Sequence, residues 1–156
     1  MVDTGPLFKY FGWLYLDSIH ADKATRDQAL SDEKSGLIWD LNKQERFQQF
    51  LNRCPRRITS NHFAVEILNF RKHSPIEGHE PKFREFVLKH YNFIEEHAVF
   101  VKDLDRELVV QLGPTDAGLV WIARTVGGNL ITSDDRLFRT LDSDLYKITR
   151  LDHLVE

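Results

Sequence analysis

The chain has 156 residues, 42% of them hydrophobic with eleven Phe and three Trp, which suffices to bury a core and excludes a disordered chain. Its formal net charge of −3 does not advertise nucleic-acid binding by bulk electrostatics and does not exclude it, because a local basic patch can act beside an acidic site. No apolar run approaches membrane-spanning length, and MVDTGPL has no basic stretch ahead of an apolar core. A soluble, cytoplasmic protein forming a single domain over 1–156 is therefore expected, with no membrane partner.

Met1 and Val2 open a very short first strand that ends at Asp3, and Gly5-Pro6 starts an aromatic-rich helix over about 6–15. Residues 18–35 are polar and read as an exposed loop or a second polar helix, while Phe47, Phe50 and Leu51 give helical spacing over 43–52. Cys54, the single cysteine, excludes an intrachain disulfide and reads as a small buried apolar residue. Arg56–Thr59 is the second strand, and Ser60 is placed to cap a helix through Lys72 whose buried stripe is Phe63, Ala64, Ile67 and Phe70. A loop over 73–80 precedes a long helix from Pro81 to about Glu96, and Ala98–Val101 is the third strand. Residues 104–112 suit a short helix closed by Gly113, although ELVV also suits a strand. Thr115 is the expected cap of an apolar helix ending at Gly127-Gly128, followed by strands at 129–132 and 146–149. This alternation predicts an α/β fold, a three-layer α/β/α arrangement around a central, mainly parallel sheet of four to five strands.

Four acids fall at comparable places in that scheme. Asp3 follows the first strand, Glu66 lies about two turns into the helix after the second, Asp116 opens the helix before the fourth, and Asp134 follows the fourth. Each has an ordinary alternative: a helix cap for Asp3, a solvated helix residue for Glu66, a favourable helix-dipole position for Asp116, a turn residue for Asp134. Together they fall on the edge of the sheet where an open α/β fold takes its ligand, and gathered carboxylates repel unless a cation lies between them. A hard divalent metal follows.

VDTGPL at 2–7, ITSNHFAVEIL at 58–68, LGPTDAGLVWIA at 112–123 and LITSDDRL at 130–137 resemble, in order and across the whole chain, the four motifs of PIN domains. These are metal-dependent nucleases that include the VapC-type toxins of toxin–antitoxin pairs. The resemblance implies that Asp3, Glu66, Asp116 and Asp134 hold Mg²⁺ or Mn²⁺ for an endoribonuclease. Asp135 becomes a weak or water-mediated ligand, and Thr4, Thr132 and Ser133 become hydrogen-bond donors that orient the acids. RNA, or single-stranded nucleic acid generally, is the implied substrate. An antitoxin-like protein is an implied partner, and an idle-site binding module is the competing reading. The stretch between Asp3 and Glu66 is longer than in the compact toxins, and its polar insert around 18–42 suggests a lid, a dimer element or a partner site.

An acidic site needs cations nearby to hold a polyanion. Arg136 and Arg139 lead the candidates, followed by Arg124, Arg56-Arg57 and Arg71-Lys72. Trp39, in GLIWDL, is the candidate interface anchor, and the aromatic run Leu7–Leu14 is a candidate homodimer surface. His73, Glu77 and His79 imitate a zinc site but sit in a loop broken by Pro75 and Gly78.

Overall fold

The computed structural model describes residues 1–31, 39–62, 65–66, 75–141 and 147–155. Asp3 is extended and caps helix α1 (Thr4–Ser18), whose buried residues include Leu7, Tyr10, Phe11 and Trp13. Asp22 caps α2 (Lys23–Leu30) and Asp40 caps α3 (Leu41–Arg53), each accepting the N–H three residues on at 2.8 and 2.9 Å. These aspartates satisfy amide groups that a helix start leaves without partners. In α3, Gln44, Phe47 and Leu51 are the buried residues, spaced to share one face.

Strand β1 (Ile58–Ser60) leads into helical backbone at Asn61, His62, Val65 and Glu66. Then come α4 (Glu80–His90), a 3-10 turn at Tyr91–Phe93, β2 (Glu95–His97) and a second 3-10 turn at Val101–Asp103. Helix α5 (Arg106–Leu112) is followed directly by α6 (Pro114–Val126) through Gly113. The Gly113 φ of 90° is open to glycine and strained for other residues, and it lets the two helices meet within one residue. The chain closes with β3 (Leu130–Thr132), α7 (Asp135–Thr140), β4 (Ile148–Arg150) and α8 (Leu151–Val155).

The expected central sheet of four to five strands between helical layers is overturned. The described residues are mostly helical, with two separate two-stranded parallel sheets, β1–β2 and β3–β4, of three residues per strand. Between them Met1–Asp3 makes only one isolated bridge, Val2 with Ile131, so no continuous ladder forms. The physical reason lies in the backbone: past the Val2 bridge Asp3 caps α1, which begins at Thr4, so the chain leaves the ladder at once. The segment is still held on both sides, with Val2 N–H donating to Ile58 O at 2.9 Å and Asp3 N–H to Ile131 O at 2.9 Å.

Successive residues of an extended chain face opposite ways, and here they feed two apolar clusters. Val2 and Ile131 join α1, α3, Phe83 of α4 and Leu151 in one. Met1, Ile58 and Leu130 join Leu119, Val120 and Ile122 of α6 and Leu137 of α7 in the other.

Further expectations need correcting. The third strand lies at Glu95–His97 instead of Ala98–Val101, and Phe100 and Val101 are exposed. The long helix from Pro81 stops at His90, and α6 starts at Pro114 behind Gly113 without a Thr115 side-chain cap. Trp39 is fully buried, donating its indole N–H to Gln44 Oε1 at 3.0 Å, so it anchors the core and not an interface. Leu7, Tyr10, Phe11 and Trp13 are buried too, which removes them from a dimer surface. Of the polar insert, residues 18–31 supply α2 and 32–38 lie outside the described residues, as do the whole expected stripe of Phe63, Ala64, Ile67 and Phe70, and Arg71-Lys72 and His73. No described helix is long and apolar enough to cross a membrane.

Candidate functional site

Parallel strands bring their C-terminal ends to one edge, and the sequence places a polar residue just beyond the Val2 bridge, β1 and β3. Asp3 follows the Val2 bridge, Asn61 follows β1, and Ser133 and Asp134 follow β3. Helix α6 delivers Asp116 in its first turn, and the helical turn after β1 delivers Glu66.

Asp3 is buried at 8% exposure and is the most constrained of the acids. Its Oδ1 accepts Thr4 N–H at 2.6 Å and its Oδ2 accepts the Thr132 hydroxyl at 2.6 Å. The same Thr132 oxygen accepts Asp134 N–H at 2.9 Å, so one buried hydroxyl ties the two acids together. Thr4 Oγ1 donates to Glu66 Oε2 at 2.5 Å. Thr4 and Thr132 thus hold carboxylates in place, as a supporting shell does around a metal. Ser133 instead lies against α1: a Cβ added at Gly5 would meet its Oγ at 2.3 Å.

The charges of the four acids reach one another. Burial pushes the Asp3 carboxyl up to about 6 from 3.8; the Thr132 and Thr4 hydrogen bonds oppose this, and Asp116 and Glu66 add to it. Asp116 is also pushed up, first by burial and then by Asp134, with Arg136 opposing and Glu66 adding. Mutual repulsion among half-buried carboxylates is the expected signature of a site that gains by taking up positive charge.

Positive charge is already present in one place. Arg136 Nη2 lies 3.2 Å from Asp116 Oδ2 and donates to Leu112 O at 3.1 Å. Asp134 Oδ1 caps α7, accepting Arg136 N–H at 2.7 Å and Leu137 N–H at 3.1 Å. Asp135 is paired with Arg150 at 3.0 Å, and Arg150 also binds Asp152. No group of three or more His, Cys, Asp or Glu side chains among the described residues is arranged to hold a metal ion.

Of the basic candidates, Arg136 is at the acids and Arg139 is exposed in the last turn of α7. Arg124 lies eight residues from Asp116, about 12 Å along α6, beside Gly127, Gly128 and Lys147 at the other end of that helix. Arg56 pairs with Glu95 at 2.7 Å, and Arg57 donates to Leu51 O at 2.7 Å. His79 Nδ1 is 2.9 Å from Tyr15 Oη.

Asn61 is a residue that the sequence reading missed. Its Oδ1 is buried and has no hydrogen-bond partner, one residue past β1 on the edge that carries Asp3. The available signal was positional: Asn61 stands just beyond ITS as Asp3 stands just beyond Val2.

No protein-family model, curated protein or solved structure matches the chain. The reading of this site rests on its own residues.

Proposed function

We propose that the chain is a Mg²⁺- or Mn²⁺-dependent nuclease that hydrolyses phosphodiester bonds, with RNA as its substrate. The observation that carries this reading is the convergence of Asp3, Glu66, Asp116 and Asp134 within electrostatic reach of one another, with Asp3 and Asp116 both held above the ordinary carboxylate range. The donor set fits a hard cation, since all four groups are carboxylates and the Asn61 Oδ1 without a hydrogen-bond partner is another oxygen. Asp3, Glu66, Asp116 and Asp134 would hold the ion. When bound, it supplies an activated water and neutralises charge on the phosphoryl oxygens. Thr132 and Thr4 would orient the carboxylates, and exposed Arg139 of α7 would meet phosphate. RNA over DNA comes from the resemblance of the four motifs to PIN domains.

Asp116→Asn keeps the shape of α6 and removes one charge. It is expected to abolish Mn²⁺-dependent cleavage of RNA with an unchanged circular dichroism spectrum; cleavage that persists in this variant rejects the site. RNA and single-stranded DNA assayed side by side decide the substrate class.

A second reading, a binding module whose metal site is idle, is favoured by the Arg136–Asp116 ion pair, which already compensates one acid. Thermal unfolding with and without Mn²⁺ separates the two: the nuclease is expected to be stabilised by the ion and the idle module is not.

A further inference from the structure

Arg136 is fixed at its backbone and extended at its tip. Its N–H is held by Asp134 Oδ1, while its guanidinium crosses to α6 and meets both Asp116 Oδ2 and the carbonyl of Leu112. The two partners differ in setting: the Arg136 side chain is 62% exposed, whereas that of Asp116 is 20% exposed. An exposed guanidinium leaves such a pairing at small cost, because ion pairs of this kind contribute about 1 kcal/mol or less.

We propose, building on the metal-site reading, that Arg136 is an exchangeable internal counter-ion: it neutralises Asp116 in the metal-free chain, is expelled by a divalent cation, and then receives a phosphate oxygen of the substrate. Three features make the exchange work. A cation arriving at Asp116 repels the guanidinium that stands there. The backbone anchor at Asp134 keeps the displaced side chain at the rim of the site. A planar guanidinium also suits phosphate oxygens as well as a carboxylate, so the same five donors serve both partners. Arg136 is then a substrate-positioning residue that holds a carboxylate between substrates, and the resting ion pair sets a threshold for metal uptake.

The test uses Arg136→Gln and Arg136→Lys in the full chain, with two binding measurements that need no turnover. Mn²⁺ affinity is read by titration calorimetry. Affinity for a 2′-O-methyl oligoribonucleotide, which resists cleavage, is read in saturating Mn²⁺ across a salt series. Arg136→Gln is expected to bind Mn²⁺ about fivefold more tightly. It is expected to bind the oligonucleotide about tenfold more weakly, with the salt slope reduced by about one. Arg136→Lys, which keeps the charge, restores Mn²⁺ affinity to that of the unsubstituted chain. Effects of opposite sign on the two ligands support the exchange, since a purely structural role moves both the same way. Unchanged or weaker Mn²⁺ binding by Arg136→Gln overturns it. If the unsubstituted chain binds Mn²⁺ and Asp116→Asn does not, that failure leaves the metal-site reading standing. Absence of Mn²⁺ binding in every variant rejects both together.

Discussion

Asp3 places one carboxyl in three roles, as the cap of α1, the acceptor for Thr132 and a member of the acidic group. Its folded value of about 6 stands above the unfolded 3.8, so the folded chain binds more protons between those limits. Its contribution to stability is fully present below 3.8 and is lost as the pH rises through about 6. A shift of this size corresponds to about 3 kcal/mol. Asp3→Asn keeps a capping oxygen and removes the charge. In urea denaturation with chelator present, its stability relative to the unsubstituted chain is expected to rise by about 3 kcal/mol between acid and neutral pH. A difference that does not vary with pH excludes Asp3 as the titrating group. On the proposed metal-site reading, added Mn²⁺ is expected to reverse the ranking, because a cation would stabilise the charged carboxyl and have less to bind in the variant.

Helix α7 shows how an element and a site share one residue. Asp134 Oδ1 holds the first two amides of the helix while its charge acts on Asp116. The two contributions separate by substitution. Asp134→Asn retains a capping oxygen, so its urea midpoint stays near that of the unsubstituted chain while Mn²⁺ stabilisation is lost. Asp134→Ala loses the cap as well and costs about 1 kcal/mol more. Equal midpoints for the two variants would show that the cap contributes nothing. The same dual use explains what was legible in the sequence. The helices α1, α3 and α6 were readable because apolar spacing, Pro and Gly mark them locally, and the acids because they stand at strand ends, at a helix start or beside a helix's apolar stripe. Strand β2 was not readable: Glu95, Glu96 and His97 carry no apolar alternation, and only pairing with Ile58–Ser60 makes them a strand. The apolar AVFV run drew the prediction three residues late, although Phe100 and Val101 face solvent. The Arg136–Asp116 pair joins residues twenty apart on different helices, and no local pattern encodes it.

At the scale of the molecule, the segment expected to be an accessory insert contributes Leu30 and Trp39 to the core. Trp39 is fully buried, edge-on to Phe47 with ring centroids 5.9 Å apart, and Lys9 reaches across to Leu30 O at 2.7 Å. Trp39→Ala is therefore expected to cost about 3–5 kcal/mol, a large share of the stability of a domain this size, measured as a drop in urea midpoint. A midpoint shift below about 1 kcal/mol would return Trp39 to the surface role the sequence first suggested. The pairing of Met1–Asp3 has a consequence for how the protein is made. Asp3 leaves the ribosome 129 positions ahead of its partner Thr132. While those intervening residues are being made, the growing chain has all of α1 but neither of the two β3 contacts that hold Asp3. The acidic group therefore assembles only after β3 has emerged, through contacts of high sequence separation. A chain stalled before Leu130 would carry Asp3, Glu66 and Asp116 without the β3 residues that hold Asp3 and join it to Asp134.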